Sequence, residues 1–162
     1  MIKIEPYVFT PDHLAQLVDL INYCQNIEAG LGMKMADQAD IFDIENHYQR
    51  AGGQFWLALD QGQVVGSIGL MPVNSQAGIL KKFFTLPAYR GVPQHLGRPL
   101  MATLLTFAQT HDFSEIALDT PGSQVRAHHF YEKQGFQQIA EDQLKFHWDF
   151  PKRDSLIYLK EI

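Results

Sequence analysis

The stretch ILKKFFTLPAYRGVPQHLGRPLMATLLTFA, residues 79–108, decides how the chain is built. It opens on an apolar run, crosses a basic loop with Gly91 and Pro93, and ends with Leu100, Met101, Leu104, Leu105 and Ala108 at helical spacing. The first amides of a helix have no internal partner and point out of its end. The macrodipole adds partial positive charge at the same place. A strand that runs through a basic loop into a helix start therefore predicts a phosphate or pyrophosphate site. The amides of Gln94, His95, Leu96, Gly97 and Arg98 are expected to face the anion, with the Arg90 and Arg98 guanidinium groups on either side. Pro99 suits the first helical turn, where a missing N–H costs nothing.

This stretch lies in a window without acid. From Gln61 to His111 there is no Asp or Glu, whereas Lys81, Lys82, Arg90 and Arg98 all fall inside. The net charge of −5 thus divides into +4 within those 51 residues and −9 outside them. A buried sheet explains missing carboxylates but not four cations without counter-charges nearby in sequence. The overall negative charge argues against a general nucleic-acid binder or a protein attracted to acidic membranes.

The rest of the chain fits one α/β domain over residues 1–162. With 162 residues and 46% hydrophobic content it can bury a core without staples and is not disordered. No apolar run approaches the roughly 18 residues of a membrane span, and the start, MIKIEPYVF, lacks a signal-peptide core. The single Cys24 excludes an internal disulfide and fits a reducing cytoplasm. Adjacent His128 and His129 cannot share one ligand face, so no metal is expected. Strands are predicted at 2–9, 54–59, 63–71, 77–86, 114–119, 136–150 and 156–160. Helices are predicted at 13–23 (capped by Thr10), 36–48, 96–111 and 123–134. Alternation sends Lys81 and Lys82 to opposite faces of their strand, where both are plain solvated residues.

Two segments resemble the GNAT superfamily of acyl-CoA-dependent N-acetyltransferases. The first is KKFFTLPAYRG…LGRPLMATLL, residues 81–105, in which Pro87, Tyr89, Arg90, Gly91, Gly97, Leu100, Met101 and Leu104 fall in place. The second is RAHHFYEKQGF, residues 126–136, similar to the family's Arg-Ala-x-x-Phe-Tyr-Glu-Lys-x-Gly-Phe segment. There are departures. Two extra residues separate Arg90 from Gly97. His95 stands where a glycine is usual, so its backbone either avoids positive φ or is strained. Gln124 stands where the family often has Asn.

The resemblance implies a mixed sheet of about seven strands flanked by about four helices, with a splayed strand pair for acyl-CoA. It implies acetyl-CoA as co-substrate and an amine acceptor. The pantetheine arm would lie along Phe84, Thr85 and Leu86 like an added strand. The pyrophosphate would meet Arg90 and residues Gln94 to Arg98, with Gln124 also near the cofactor. One amide of the strand would polarise the thioester carbonyl. Tyr131 takes the family's position for the acid that protonates the departing thiolate, since a phenol keeps its proton at neutral pH. Asp119, His128 and His147 remain open as the base. Dimers are common in the family, which leaves a homodimer open.

Asp37, Asp40, Asp43 and Glu45 form an acidic cluster on the second predicted helix. The plain reading is a solvated face; the sharper one is attraction of a cationic acceptor. Two alternatives stand beside the enzyme: a GNAT-like CoA-binding module without catalysis, and a protein that binds another phosphate ligand. The absence of Walker and dinucleotide fingerprints weighs against the last.

Overall fold

Thr10 starts the first helix as its chemistry directs. Its backbone is extended, and its Oγ1 accepts from the His13 amide at 2.9 Å. Pro11 holds the first helical position. Such a cap contributes about 1 kcal/mol. The computed structural model describes residues 1–151 and 153–162. Strand β1 (Ile2–Pro6) leads into helix α1 (Pro11–Asn22), which buries Leu17, Leu20 and Ile21 and widens into a π turn at Tyr23–Glu28.

The helix expected over 36–48 does not form as one element. The chain makes two 3₁₀ turns, Met35–Asp37 and Ala39–Asp43, and a π turn, Glu45–Gln49. The reason lies in Gln38. Its buried side chain exchanges two amide hydrogen bonds with buried Gln25, at 3.0 and 2.9 Å. Its backbone leaves helical geometry (φ −122°, ψ 59°). Ile41, Ile44 and Tyr48 still bury their side chains.

The sheet contains β1, β2 (Gln54–Asp60), β3 (Gln63–Pro72), β4 (Ala77–Thr85), β5 (Glu115–Pro121), β6 (Gln137–Ile139) and β7 (Ser155–Glu161). Their order is β1-β2-β3-β4-β5-β7-β6. Among the described residues only β4 and β5 pair in parallel, so this is the expected mixed sheet. Helix α2 (Gly97–Thr110) connects β4 to β5, and α3 (Val125–Lys133) comes after β5. The long strand expected over 136–150 stops at Ile139. There Gln143 Oε1 accepts from the Ala140 amide at 2.7 Å and bends the chain into a 3₁₀ turn, Glu141–Gln143. Among the described residues no helix is long and apolar enough to cross a membrane.

Each face of the sheet has its own core. Leu96, Leu100, Met101 and Leu104 pack with Ile68, Leu80, Ile116, Leu118 and Tyr131 on one face. Leu17, Leu20, Ile21, Ile41 and Ile44 pack with Tyr48, Phe55 and Leu57 on the other.

Two irregularities in β4 make the site. First, β4 pairs with β5 only from Ala77 to Ile79, against Glu115 to Ala117, and then the strands part. Second, from Ser67 to Gly69 β3 takes two steps while β4 takes three, from Phe84 to Lys81. Lys82 adopts φ +55° within that β-bulge. Leu80 and Phe83 therefore pack against the α2 face, while Lys81, Lys82 and Phe84 all lie on the α1 face. The alternation expected for the two lysines is broken by the inserted residue.

Gly69 matters to this arrangement because two aromatic rings cover it. A Cβ there would stand 2.6 Å from Phe55 Cδ2 and 2.8 Å from Tyr48 Cε1. Gly69→Ala is expected to lower stability by about 1–3 kcal/mol through overpacking. Denaturant unfolding measures this, and an unchanged midpoint would contradict the described packing.

Candidate active site

Past Ile79, one side of β4 has no neighbouring strand. The Leu86 amide donates to Val65 O at 2.9 Å, so it faces β3 and not the gap. Alternation turns the Phe84 backbone the same way and leaves Phe83 and Thr85 facing the gap. Of the three residues expected to line the pantetheine arm, only Thr85 presents its backbone there. Phe83 is the one that sequence reasoning missed, because the bulge that sets the phase leaves no mark in composition. The Thr85 carbonyl already accepts from Arg90 Nη2 at 2.6 Å and Nε at 3.1 Å, which leaves the Thr85 amide free of those bonds.

Arg90 is not poised for phosphate. Its guanidinium grips Glu28 through two 2.7 Å bonds, and so ties the end of α1's π turn to the end of β4. The loop after it uses most of its own amides. His95 donates to Gly91 O, Leu96 to Tyr89 O and Arg98 to His95 O, at 2.9, 2.9 and 3.0 Å. Of the five amides expected to face an anion, only those of Gln94 and Gly97 lack a backbone partner among the described residues. Leu96 is a core residue at 1% exposure. His95 takes φ +43°, the strained alternative. Arg98 is exposed, and no carboxylate of a described residue pairs with it. An exposed arginine beside a bare Gly97 amide at the start of α2 still suits an anion.

Across the gap, Tyr131 of α3 is buried, with ring centroids 6.2, 5.9 and 6.1 Å from Phe83, Phe136 and Tyr158. Its hydroxyl makes no hydrogen bond among the described residues. Gln124, half-buried, stands at the cap of α3; its carbonyl accepts from the His128 amide at 3.1 Å and its side chain makes no capping bond. His128 is not a surface residue, since it is buried and its Nε2 donates to Pro121 O at 2.9 Å. That bond puts the proton on Nε2 and leaves Nδ1 as the ring's lone-pair nitrogen. His147 is exposed and meets Asp149 at 3.0 Å. Asp119 pairs with Arg153 at 2.9 Å.

The acidic cluster predicted on the second helix is dispersed. Asp43 accepts from Asn46, Glu45 pairs with Arg50, and Asp37 is exposed. Asp40 turns inward. Its Oδ2 accepts from the Tyr48 hydroxyl at 2.6 Å and lies 3.9 Å from Lys81 Nζ and 3.7 Å from Lys82 Nζ.

The model of the acetyltransferase (GNAT) family matches residues 23–136, which span β2, the bulged β4, α2 and α3. The chain belongs to the GNAT acetyltransferase family. An acetyltransferase from Streptococcus agalactiae has a solved structure with 55% identity, covering 99% of this chain and 98% of that one, at TM-score 0.97. N-acetyltransferase family 8 member 2 of Rattus norvegicus is 34% identical over 108 residues, 64% of this chain and 47% of that protein. The chain spans about half the length of the curated relatives it matches. A GNAT acetyltransferase from Elizabethkingia anophelis, solved with acetyl-CoA bound, covers 99% of this chain and 98% of that one at TM-score 0.66 and 17% identity; it shares the fold.

Burial governs the titration of this GNAT domain's inner groups. It pushes the Tyr131 phenol well above its ordinary range, helped by the Asp119 charge, so the phenol is protonated throughout the neutral range. Burial works against ionised Asp40, but Lys82, Lys81 and the Tyr48 hydroxyl outweigh it and hold the carboxyl below its ordinary value. The Lys82 side chain is only 8% exposed. Burial draws its ammonium down from 10.5 to about 8, although Asp40 opposes the change. Between those values the unfolded chain holds the Lys82 proton and the folded chain does not. Stability therefore rises with pH across that window. Wild-type protein should gain stability over Lys82→Met as pH is raised from about 8 to 9.5, by at most about 1.4 kcal/mol per pH unit. Urea unfolding at stepped pH measures the difference, and parallel curves would place Lys82 in water.

Proposed function

We propose that residues 1–162 form one catalytic domain that transfers an acetyl group from acetyl-CoA to an amine. The observation that carries this reading is the parting of β4 from β5, with the Phe83 and Thr85 backbone on one wall and buried Tyr131 close by. The family match supports the same reaction class. The residues present fit acetyl-CoA: the gap accepts an extended arm as an added strand, and the Gly97 amide with Arg98 provides positive potential at the start of α2. When bound, acetyl-CoA supplies the activated acyl group as a thioester.

An amide facing the gap, from Phe83 or Thr85, would hydrogen-bond the thioester oxygen and stabilise the negative charge that grows there. The neutral acceptor nitrogen forms its bond to the carbonyl carbon, and the carbon–sulfur bond then breaks with its electron pair going to sulfur. Tyr131 gives its proton to that sulfur, and the amine gives up one proton as it becomes an amide. Burial keeps Tyr131 protonated for this task, so its deprotonation should set no alkaline limb in the rate profile near neutral pH. Asp119, 14% exposed, paired with Arg153 and close enough for its charge to act on Tyr131, is the carboxylate placed to receive a proton through water. The free, buried Cys24 agrees with a reducing compartment, and the cytoplasm is the location proposed.

Release of thiol in the presence of acetyl-CoA and a panel of amines tests the reaction. Tyr131→Phe should lower kcat by roughly 100-fold while acetyl-CoA affinity stays within about twofold. Arg98→Ala should weaken acetyl-CoA binding by about tenfold and leave kcat near wild type. Tight acetyl-CoA binding with no thiol release on any amine would favour the non-catalytic CoA-binding module. That reading draws on the spent Arg90 and the three occupied loop amides.

A further inference from the structure

The Lys82 ammonium has three donors and lacks a hydrogen bond among the described residues. Its nearest carboxylate oxygen, on Asp40, is 3.7 Å away, beyond hydrogen-bond reach. Yet its side chain is more than nine-tenths buried. Asp40 Oδ2 is already occupied by the Tyr48 hydroxyl and shared with Lys81. The Lys82 ammonium nitrogen itself keeps contact with solvent, so a group arriving from solvent can complete its bonding.

A second cation lies nearby. Arg153, which precedes β7, reaches Asp119 of β5 with one terminal nitrogen and Met33 Sδ with the other. Its buried Nε–H has no partner. Arg153 lies close enough to Lys82 for its charge to act on that ammonium. Lys82 stands on β4 and Asp119 on β5, in the portions that have parted. Two cations from different elements thus stand beside the opening between the strands, the Lys82 side chain 8% and the Arg153 side chain 26% exposed. Counting Lys81, three cations face two carboxylates, so the region is left with positive charge.

We propose that Lys82 and Arg153 clamp a carboxylate of the acceptor, so the substrate is an amine that carries a free carboxylate close to its nitrogen, as an α-amino acid does. This assignment rests on the acetyltransferase reading of the site. It sets aside the sharper of the two readings of the acidic cluster, a cationic acceptor, because Asp40 is neutralised from within and the other three carboxylates are dispersed. A carboxylate can bond the Lys82 ammonium and the terminal nitrogen of Arg153 that otherwise has only the weak Met33 sulfur acceptor, and charge-assisted bonds of this kind are strong. An amide or a decarboxylated amine leaves one or both without a partner, which is how a polar site rejects a close analogue.

The standard amino acids, their amides and their decarboxylated amines are compared as acceptors in the thiol-release assay. Calorimetry on CoA-saturated protein compares N-acetyl amino acids with N-acetyl amino acid amides. At least one free amino acid should surpass its amide by about tenfold or more in kcat/KM, and its N-acetyl derivative should bind where the corresponding amide does not. Lys82→Met and Arg153→Gln should each remove that preference, with acetyl-CoA binding within about twofold of wild type and cooperative thermal unfolding retained. Should Lys82→Met not fold, Arg153→Gln and the wild-type preference decide the matter. The clamp is overturned if amides or carboxylate-free amines serve equally, if no N-acetyl amino acid outbinds its amide, or if both substitutions leave the preference intact. Binding of N-acetyl amino acids through Lys82 and Arg153 without thiol release on any amine would overturn the transferase reading and leave the clamp standing.

Discussion

Between Lys81 and Phe84, β4 takes one more residue than β3 opposite it, and the left-handed backbone of Lys82 absorbs the difference. That single insertion sets the character of the site. It rotates Lys82 onto the α1 face beside Lys81, so one buried carboxylate serves two ammonium groups. It resets the phase of the strand, so Phe83 packs toward Tyr131 and its backbone faces the gap. A regular strand would bring Lys82 into the apolar core with Leu80 and Leu100, where an ammonium cannot be accommodated. The bulge thus lets polar chemistry stand in the middle of a sheet whose two faces are otherwise greasy.

The window without acid now has an explanation in three dimensions. Its cations do have counter-charges, delivered from the N-terminal third of the chain: Glu28 to Arg90, and Asp40 to both lysines. These pairings bind the α1 side to the end of β4. Arg98 is the exception, with no such pair among the described residues, and it stands at the helix start where an anion is most welcome.

Much of this was legible in the chain. Alternation and punctuation located β2, β3, β4, α2 and α3 to within a few residues, and Thr10-Pro11-Asp12 marked the start of α1. The FYEKQGF segment pointed to Tyr131. The errors share a cause. Gln38 leaves the helical pattern because Gln25, thirteen residues earlier, holds its side chain. Arg90 looked like a phosphate ligand because Glu28 lies 62 residues away in sequence. Lys81 and Lys82 looked solvated because a bulge has no composition. Long-range partners of polar side chains, and the phase of a strand, emerge only when the elements are assembled.

Two of the ties between the α1 region and its surroundings differ in kind. Arg90 and Glu28 are held by charge across a partly exposed contact. Gln25 and Gln38 are held by neutral amides in the interior. Dissolved ions shield the first and are indifferent to the second. Potassium or sodium in the surrounding medium therefore weakens the first contact and leaves the second, three residues away in the same turn, untouched.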